Sequence, residues 1–105
     1  MTNSVERVAT SMTHLKKLKK ERQQTSSKAI EEMADLKKVI STLALTFREE
    51  EILYLMLEGL NNQEVGQYLN ISVHTVKNHV TSIFKKLNVS DRIQAMAKIY
   101  RIKYV

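Results

Sequence analysis

No proline occurs anywhere in the 105 residues, and glycine occurs only at Gly59 and Gly66. Strands joined by hairpins need turn formers at every reversal, and a chain this poor in both residues does not supply them. The expected fold is therefore all-α. β-branched residues at 71–76 would by themselves suit a strand, but the apolar spacing that follows them is helical. A chain of this length can build one small globular unit plus an extension, too little for two cores flanking an active-site cleft. Cysteine is absent, which excludes a disulfide framework and cysteine-based zinc or redox chemistry. No apolar run approaches the length needed to cross a bilayer. A cytoplasmic protein with no membrane association is expected.

Residues 1–44 read as a long amphipathic extension. With Val5 at heptad position a, successive a and d sites are Val5, Val8, Met12, Leu15, Lys19, Arg22, Ser26, Ala29, Met33, Leu36, Ile40 and Leu43. The frame holds, but its middle is polar and lies beside QQTSSK (23–28). A dimerising coiled coil, a hairpin of two helices with Ser26 or Ser27 as a cap, and a helix packed on its own domain or a partly disordered arm all fit this pattern.

Residues 45–105 are punctuated more sharply. Thr46-Phe47-Arg48-Glu49 is a capping box of the T-x-x-E kind, and Asn61-Asn62-Gln63-Glu64 repeats the device. The first helix should bury Ile52, Leu53, Leu55, Met56 and Leu57 and stop at Gly59. The second carries Val65, Tyr68 and Leu69. Asn70 suits a turn and Ser72 the next N-cap, so two helices meet across about three residues, which is helix-turn-helix geometry.

The helix that follows, about 73–87, divides cleanly. At about 100° per residue Val76, Val80, Ile83 and Leu87 form one stripe with Phe84 on its flank. Opposite lie His74, Asn78, Thr81, Ser82 and Lys85, with Lys77 at the edge. Such a face holds only cations and short donors and acceptors, on a helix whose first amides attract phosphate. It suits the major groove of double-stranded DNA, whose base edges present a readable donor and acceptor pattern. Charge agrees with this: 46–71 set Arg48 against five acids, whereas 72–105 set seven bases against Asp91 alone. An anionic partner belongs with the last third of the chain. Another basic run, KKLKKER (16–22), reads as a solvated charge cluster.

No catalytic constellation is visible. His74 and His79 are five apart and diverge on a helix, no glycine-rich phosphate loop exists, and the two capping glutamates are accounted for as caps. No enzyme activity, metal or cofactor is expected.

The segments LTFREEEIL (45–53), GLNNQEVGQYLNIS (59–72), TVKNHVTSIFKKLNV (75–89) and DRIQAMA (91–97) resemble, in order and spacing, the LuxR/GerE-type DNA-binding domain of bacterial transcription regulators, including the NarL/FixJ response regulators. The resemblance covers about 45–104. Two positions depart from the usual pattern: Phe47 stands where proline is usual, and Gly66 where alanine is usual. Gly66 should cost about 1 kcal/mol in helix propensity while allowing close helix crossing. The resemblance implies a four-helix domain whose second and third helices form the helix-turn-helix and whose fourth, after Ser90, makes a homodimer contact on DNA. By position, Lys77, Asn78 and Thr81 match base-reading sites, and Thr75 and Lys85, with nearby amides, match phosphate contacts. Ser82, on the polar face, joins the phosphate set. Asn can pair with adenine, Lys with guanine, and a threonine methyl with thymine. On the fourth helix, Ile93, Met96, Ala97, Tyr100 and Tyr104 form an apolar side, with Met96, Ile99 and Tyr100 assigned to the dimer.

The resulting expectation is a sequence-specific, homodimeric DNA-binding transcription regulator. Relatives carry a receiver or ligand-binding domain, so the input is missing, replaced by the helical extension, or supplied by a separate sensor protein. RNA polymerase is a further candidate partner. Two other readings compete: a protein-interaction adaptor working through the N-terminal helices, and a module like region 4 of sigma factors that touches promoter and polymerase.

Overall fold

A computed structural model describes residues 27–103, with side chains from residue 31. Five helices account for most of it: α1 (Ser27–Ser41), α2 (Phe47–Leu57), α3 (Asn62–Leu69), α4 (Val73–Leu87) and α5 (Arg92–Lys103). No strand occurs among the described residues. The heptad sites from Val5 to Ser26, the side chain of Ala29, the KKLKKER run and Tyr104 lie outside them.

The cap signals are realised as local hydrogen bonds. Thr46 Oγ1 accepts from the Glu49 amide at 3.2 Å while Glu49 Oε1 accepts from the Thr46 amide at 2.9 Å. Asn61 and Glu64 close the same reciprocal box at 2.9 Å each. Ser72 Oγ accepts from the Thr75 amide at 3.0 Å. Each such cap contributes about 1 kcal/mol by pairing an amide the helix itself cannot satisfy. Phe47 at the first helical position leaves its box intact. α2 ends at Gly59, whose φ of 98° is open to a residue without a side chain. Asn70 and Asn88 end α3 and α4 in the left-handed region, which asparagine tolerates best among residues with a Cβ.

α2 is the centre of the fold. α1, α3 and α4 all pack on it, and from Glu51 to Leu57 every residue is buried. A helix stretch covered on all sides must be apolar nearly all round, and from Ile52 to Leu57 this one is, except for Tyr54, while the charged Arg48, Glu49, Glu50 and Glu51 fall in its first turns. Glu51 lies 3.3 Å from the Arg48 guanidinium one turn away. Tyr54 keeps its phenolic proton well above the ordinary range, because burial and then the Glu58 carboxylate disfavour the phenolate. α4 buries Val76, Val80, Ile83 and Leu87 against α2 and α3, with Phe84 half-buried, as its spacing predicts.

Three features refine the reading from the sequence. A Cβ on Gly66 would stand 2.8 Å from the Ile71 carbonyl oxygen. The close approach at this glycine is thus first of all to the backbone of the turn, which folds back so that the Ile71 amide donates to the Gly66 carbonyl at 2.9 Å. On α5 the buried face is not the expected stripe: Ala95 and Ile99 are enclosed, Met96 and Tyr100 are half-buried, and Ile93 is 78% exposed. The reason is α1, which packs on α5 and turns a different side of it inward. Leu36 and Ile40, on the extension side of residue 44, sit in the same core as Ile52 and Ile99. Those two heptad positions are therefore covered by the chain itself.

Ala44, in the connection from α1 to α2, has a φ of 54°, where a Cβ is strained. Ala44→Gly should raise stability by about 0.5–1 kcal/mol, because relief of that strain outweighs the added freedom of the unfolded chain. Urea unfolding followed by circular dichroism reads this directly. An unchanged or lowered midpoint would show the linker to be unstrained.

Candidate nucleic-acid interface

The rotation of α4 about its axis is set from outside the helix. Glu49, only 3% exposed, turns one carboxylate oxygen to its own cap and both toward α4: Lys86 Nζ donates to Oε1 at 2.7 Å and Ser82 Oγ donates to Oε2 at 2.6 Å. Ser82 and Lys86 are one turn apart on a flank roughly a quarter turn from the buried stripe. Burial pushes the Glu49 carboxyl up, but the Lys86 ammonium, the Ser82 hydroxyl and the Thr46 amide outweigh it and hold the group at about 2, against its ordinary 4.5.

With one side of α4 in the core and one flank clamped, the remaining face carries the residues expected to meet DNA. Lys77, Asn78, Thr81 and Lys85 are all exposed. The side chains of Lys77, Asn78 and Lys85 are engaged by no hydrogen bond or ion pair among the described residues. Thr81 Oγ1 donates to the Lys77 carbonyl at 3.0 Å, so it can still offer a methyl group and oxygen lone pairs. Thr75 stands at the N-terminal end of the helix, its hydroxyl 2.9 Å from Ser72 Oγ. Ser82 departs from expectation: its hydroxyl hydrogen is committed to Glu49, and a phosphate oxygen needs a donor.

Basic charge behaves in the same selective way. Of the bases in the last third, Lys86 is paired with Glu49. Arg92 donates to the Leu60 carbonyl at 2.7 Å. The Lys98 ammonium donates to the Leu87 carbonyl at the C-terminal end of α4, and Lys103 lies 6.0 Å from the Tyr100 ring centre. Lys77 and Lys85 share the outer face of α4.

The assigned dimer residues separate. Ile99 has no exposed surface and belongs to the core, whereas Met96 and Tyr100 keep some. Ile93 and Ile102 are the large apolar side chains that α5 exposes. The apolar side read from the sequence included Ile93, which the fold leaves exposed.

A capped helix-turn-helix, a solvent-facing polar stripe on its second helix, and a fourth helix closing the domain are the geometry expected from the resemblance. Residues 43–99 match the family described as bacterial regulatory proteins, luxR family. The chain belongs to that family. It is similar to the transcriptional regulatory protein LiaR of Bacillus subtilis, 52% identical over 58 residues, which is 55% of this chain and 28% of that protein. Similarity to the transcriptional regulatory protein DegU of Brevibacillus brevis is 52% over 54 residues, covering 51% of this chain and 23% of that one. The transcriptional regulatory protein LnrK of Bacillus subtilis matches further, 43% identical over 77 residues, 73% of this chain and 34% of LnrK. The matched segment is thus about a third or less of each of these relatives. No solved structure matches. Membership makes residues 43–99 of this chain a LuxR-type helix-turn-helix DNA-binding domain.

The Glu49 clamp has a pH signature. Its carboxyl is depressed in the folded chain, so the stabilisation is complete above the ordinary value of 4.5 and is lost as pH falls toward about 2. With Lys86 partly exposed to screening solvent, the amount is about 2 kcal/mol. Glu49→Gln should lower stability by about that much at pH 7, and the gap between the two proteins should narrow below about pH 4.5 and nearly close at about pH 2 in urea titrations. A gap that persists unchanged at pH 3 would mean the carboxylate charge contributes nothing.

Proposed function

We propose that the chain is a sequence-specific regulator of transcription that binds double-stranded DNA as a homodimer, with α4 in the major groove. The observation that carries this reading is the division of α4: one stripe in the core, one flank clamped by Glu49, and the face of Lys77, Asn78, Thr81 and Lys85 uncovered by any described element. Lys77 and Asn78 read base edges as donors and acceptors, and Thr81 offers a methyl group. Lys85, Thr75 and the first amides of α4 hold phosphates. Ser82 leaves the phosphate set and acts as an anchor of the helix. For the dimer, the exposed Ile93 joins Met96 and Tyr100 in place of Ile99. Paired half-sites then lie about one DNA turn apart, roughly 34 Å. Names of the relatives support a role in transcription, since LiaR, DegU and LnrK are each called transcriptional regulatory proteins.

Lys77 and Lys85 are the cations on the outer face of α4, so this face by itself should contribute a modest salt dependence. These two lysines on each protomer imply a contribution of between about −2 and −4 to the log–log slope of the dimer. Fluorescence anisotropy with a duplex selected from random DNA measures it. Lys77→Ala and Asn78→Ala should each weaken specific binding by about 1–3 kcal/mol without loss of helix content, and Lys85→Ala should flatten the slope by about 1 per protomer. Unchanged footprints in both Lys77→Ala and Asn78→Ala would remove the assignment of α4. Binding that ignores salt would point to a protein partner instead.

A further inference from the structure

α5 is held in two different ways. Polar ties fasten it to the helix-turn-helix: Arg92 to the Leu60 carbonyl, and Lys98 to the Leu87 carbonyl. Its helix packing, in contrast, is chiefly against α1. Ala95 and Ile99, one turn apart, are 1% and 0% exposed, and α1 brings Leu36 and Ile40 into the same cluster with Met33, Val39 and Leu43 around them. α1 makes no comparable packing with α3 or α4.

We propose that α1 is the seat of α5: docking of its apolar stripe, residues 33–43, fixes the helix that carries Ile93, Met96 and Tyr100, and thereby sets how strongly a second copy joins on DNA. The folding unit accordingly includes residues 33–43 and does not start at residue 45. A partner that displaces α1 would act on pairing through α5. The grip of α4 on a single half-site changes less, because α4 does not pack on α1 to a comparable extent and is positioned by α2, α3 and Glu49. Leu36, Ile40 and their neighbours are positioning residues, remote from the proposed base-reading side chains.

This inference rests on the homodimer reading, and the test separates the two. Full-length wild type and Ile40→Ala are compared on a duplex selected from random DNA by the wild-type chain, and on the same duplex with one half-site scrambled. Hydrogen exchange by mass spectrometry is followed in parallel over 73–87 and 92–103. Ile40→Ala should lose at least about tenfold affinity for the intact duplex while staying within about twofold on the scrambled one. Exchange in 92–103 should rise by at least about tenfold with 73–87 altered by less than about twofold. Should Ile40→Ala fail to fold, Leu36→Ala, at a site not fully enclosed, carries the same comparison. Equal loosening of both segments would reduce α1 to common core and overturn the proposal, as would an undisturbed α5. If wild type binds both duplexes alike, the homodimer reading falls, and exchange alone decides whether α1 seats α5.

Discussion

One carboxylate sets the geometry on which the rest of the domain depends. Glu49 completes the N-terminal cap of α2 and, with the same group, accepts from Ser82 and Lys86 on α4. Packing alone leaves a helix with a broad apolar stripe some freedom to roll, since hydrophobic contact has no direction. Two charge-assisted hydrogen bonds on one flank remove that freedom, being short and directional. The exposed face of α4 is then determined by subtraction, and it is the face holding Lys77, Asn78, Thr81 and Lys85. A carboxylate this deeply enclosed would destabilise the fold if left alone. Its three donors reverse the sign, which is why its proton affinity falls despite burial.

The same economy governs the basic residues. Seven bases against one acid in 72–105 suggest a broadly positive surface. In the folded chain Lys86, Arg92 and Lys98 spend their donors on Glu49 and on two backbone carbonyls. Lys98 sits where a cation is most useful to a helix, at the carbonyl end of α4, facing the negative pole of its dipole. Lys86 is neutralised by Glu49, whereas Arg92 and Lys98 keep their charge and are held in place by the carbonyls to which they donate. Part of the basic charge is thus structural: Lys86 ties α4 to α2, Arg92 ties α5 to the loop before α3, and Lys98 ties α5 to α4.

What could be read from the amino acids alone follows the range of the interactions. Caps at Thr46, Asn61 and Ser72 involve partners three residues away, and all were legible. So was the buried stripe of α4, because a 3.6-residue period is a local property. Glu49 was legible only as a cap; its bonds to Ser82 and Lys86 span 33 and 37 residues and leave no periodic trace. Ser82 was consequently assigned outward, on the polar side where a helical wheel puts it. α5 shows the same limit from the other direction: Ile93, Met96, Ala97 and Tyr100 form a plausible inner face only until α1 is placed, after which Ala95 and Ile99 define it.

α1 also bears on the heptads that run through the first 44 residues. An apolar stripe can be covered once. Met33, Leu36, Ile40 and Leu43 are successive seam positions, and in this fold they pack on or within the core of their own chain. A two-stranded coil that used the same positions would have to lift α1 away and uncover Ile99, an aliphatic side chain with no exposed surface at present. Exposing a core isoleucine of this kind costs about 1.5–3 kcal/mol before any pairing is gained. Pairing through these four seam positions and packing of α1 on α5 are thus alternatives, and the enclosed state of Ile40 and Ile99 favours the second.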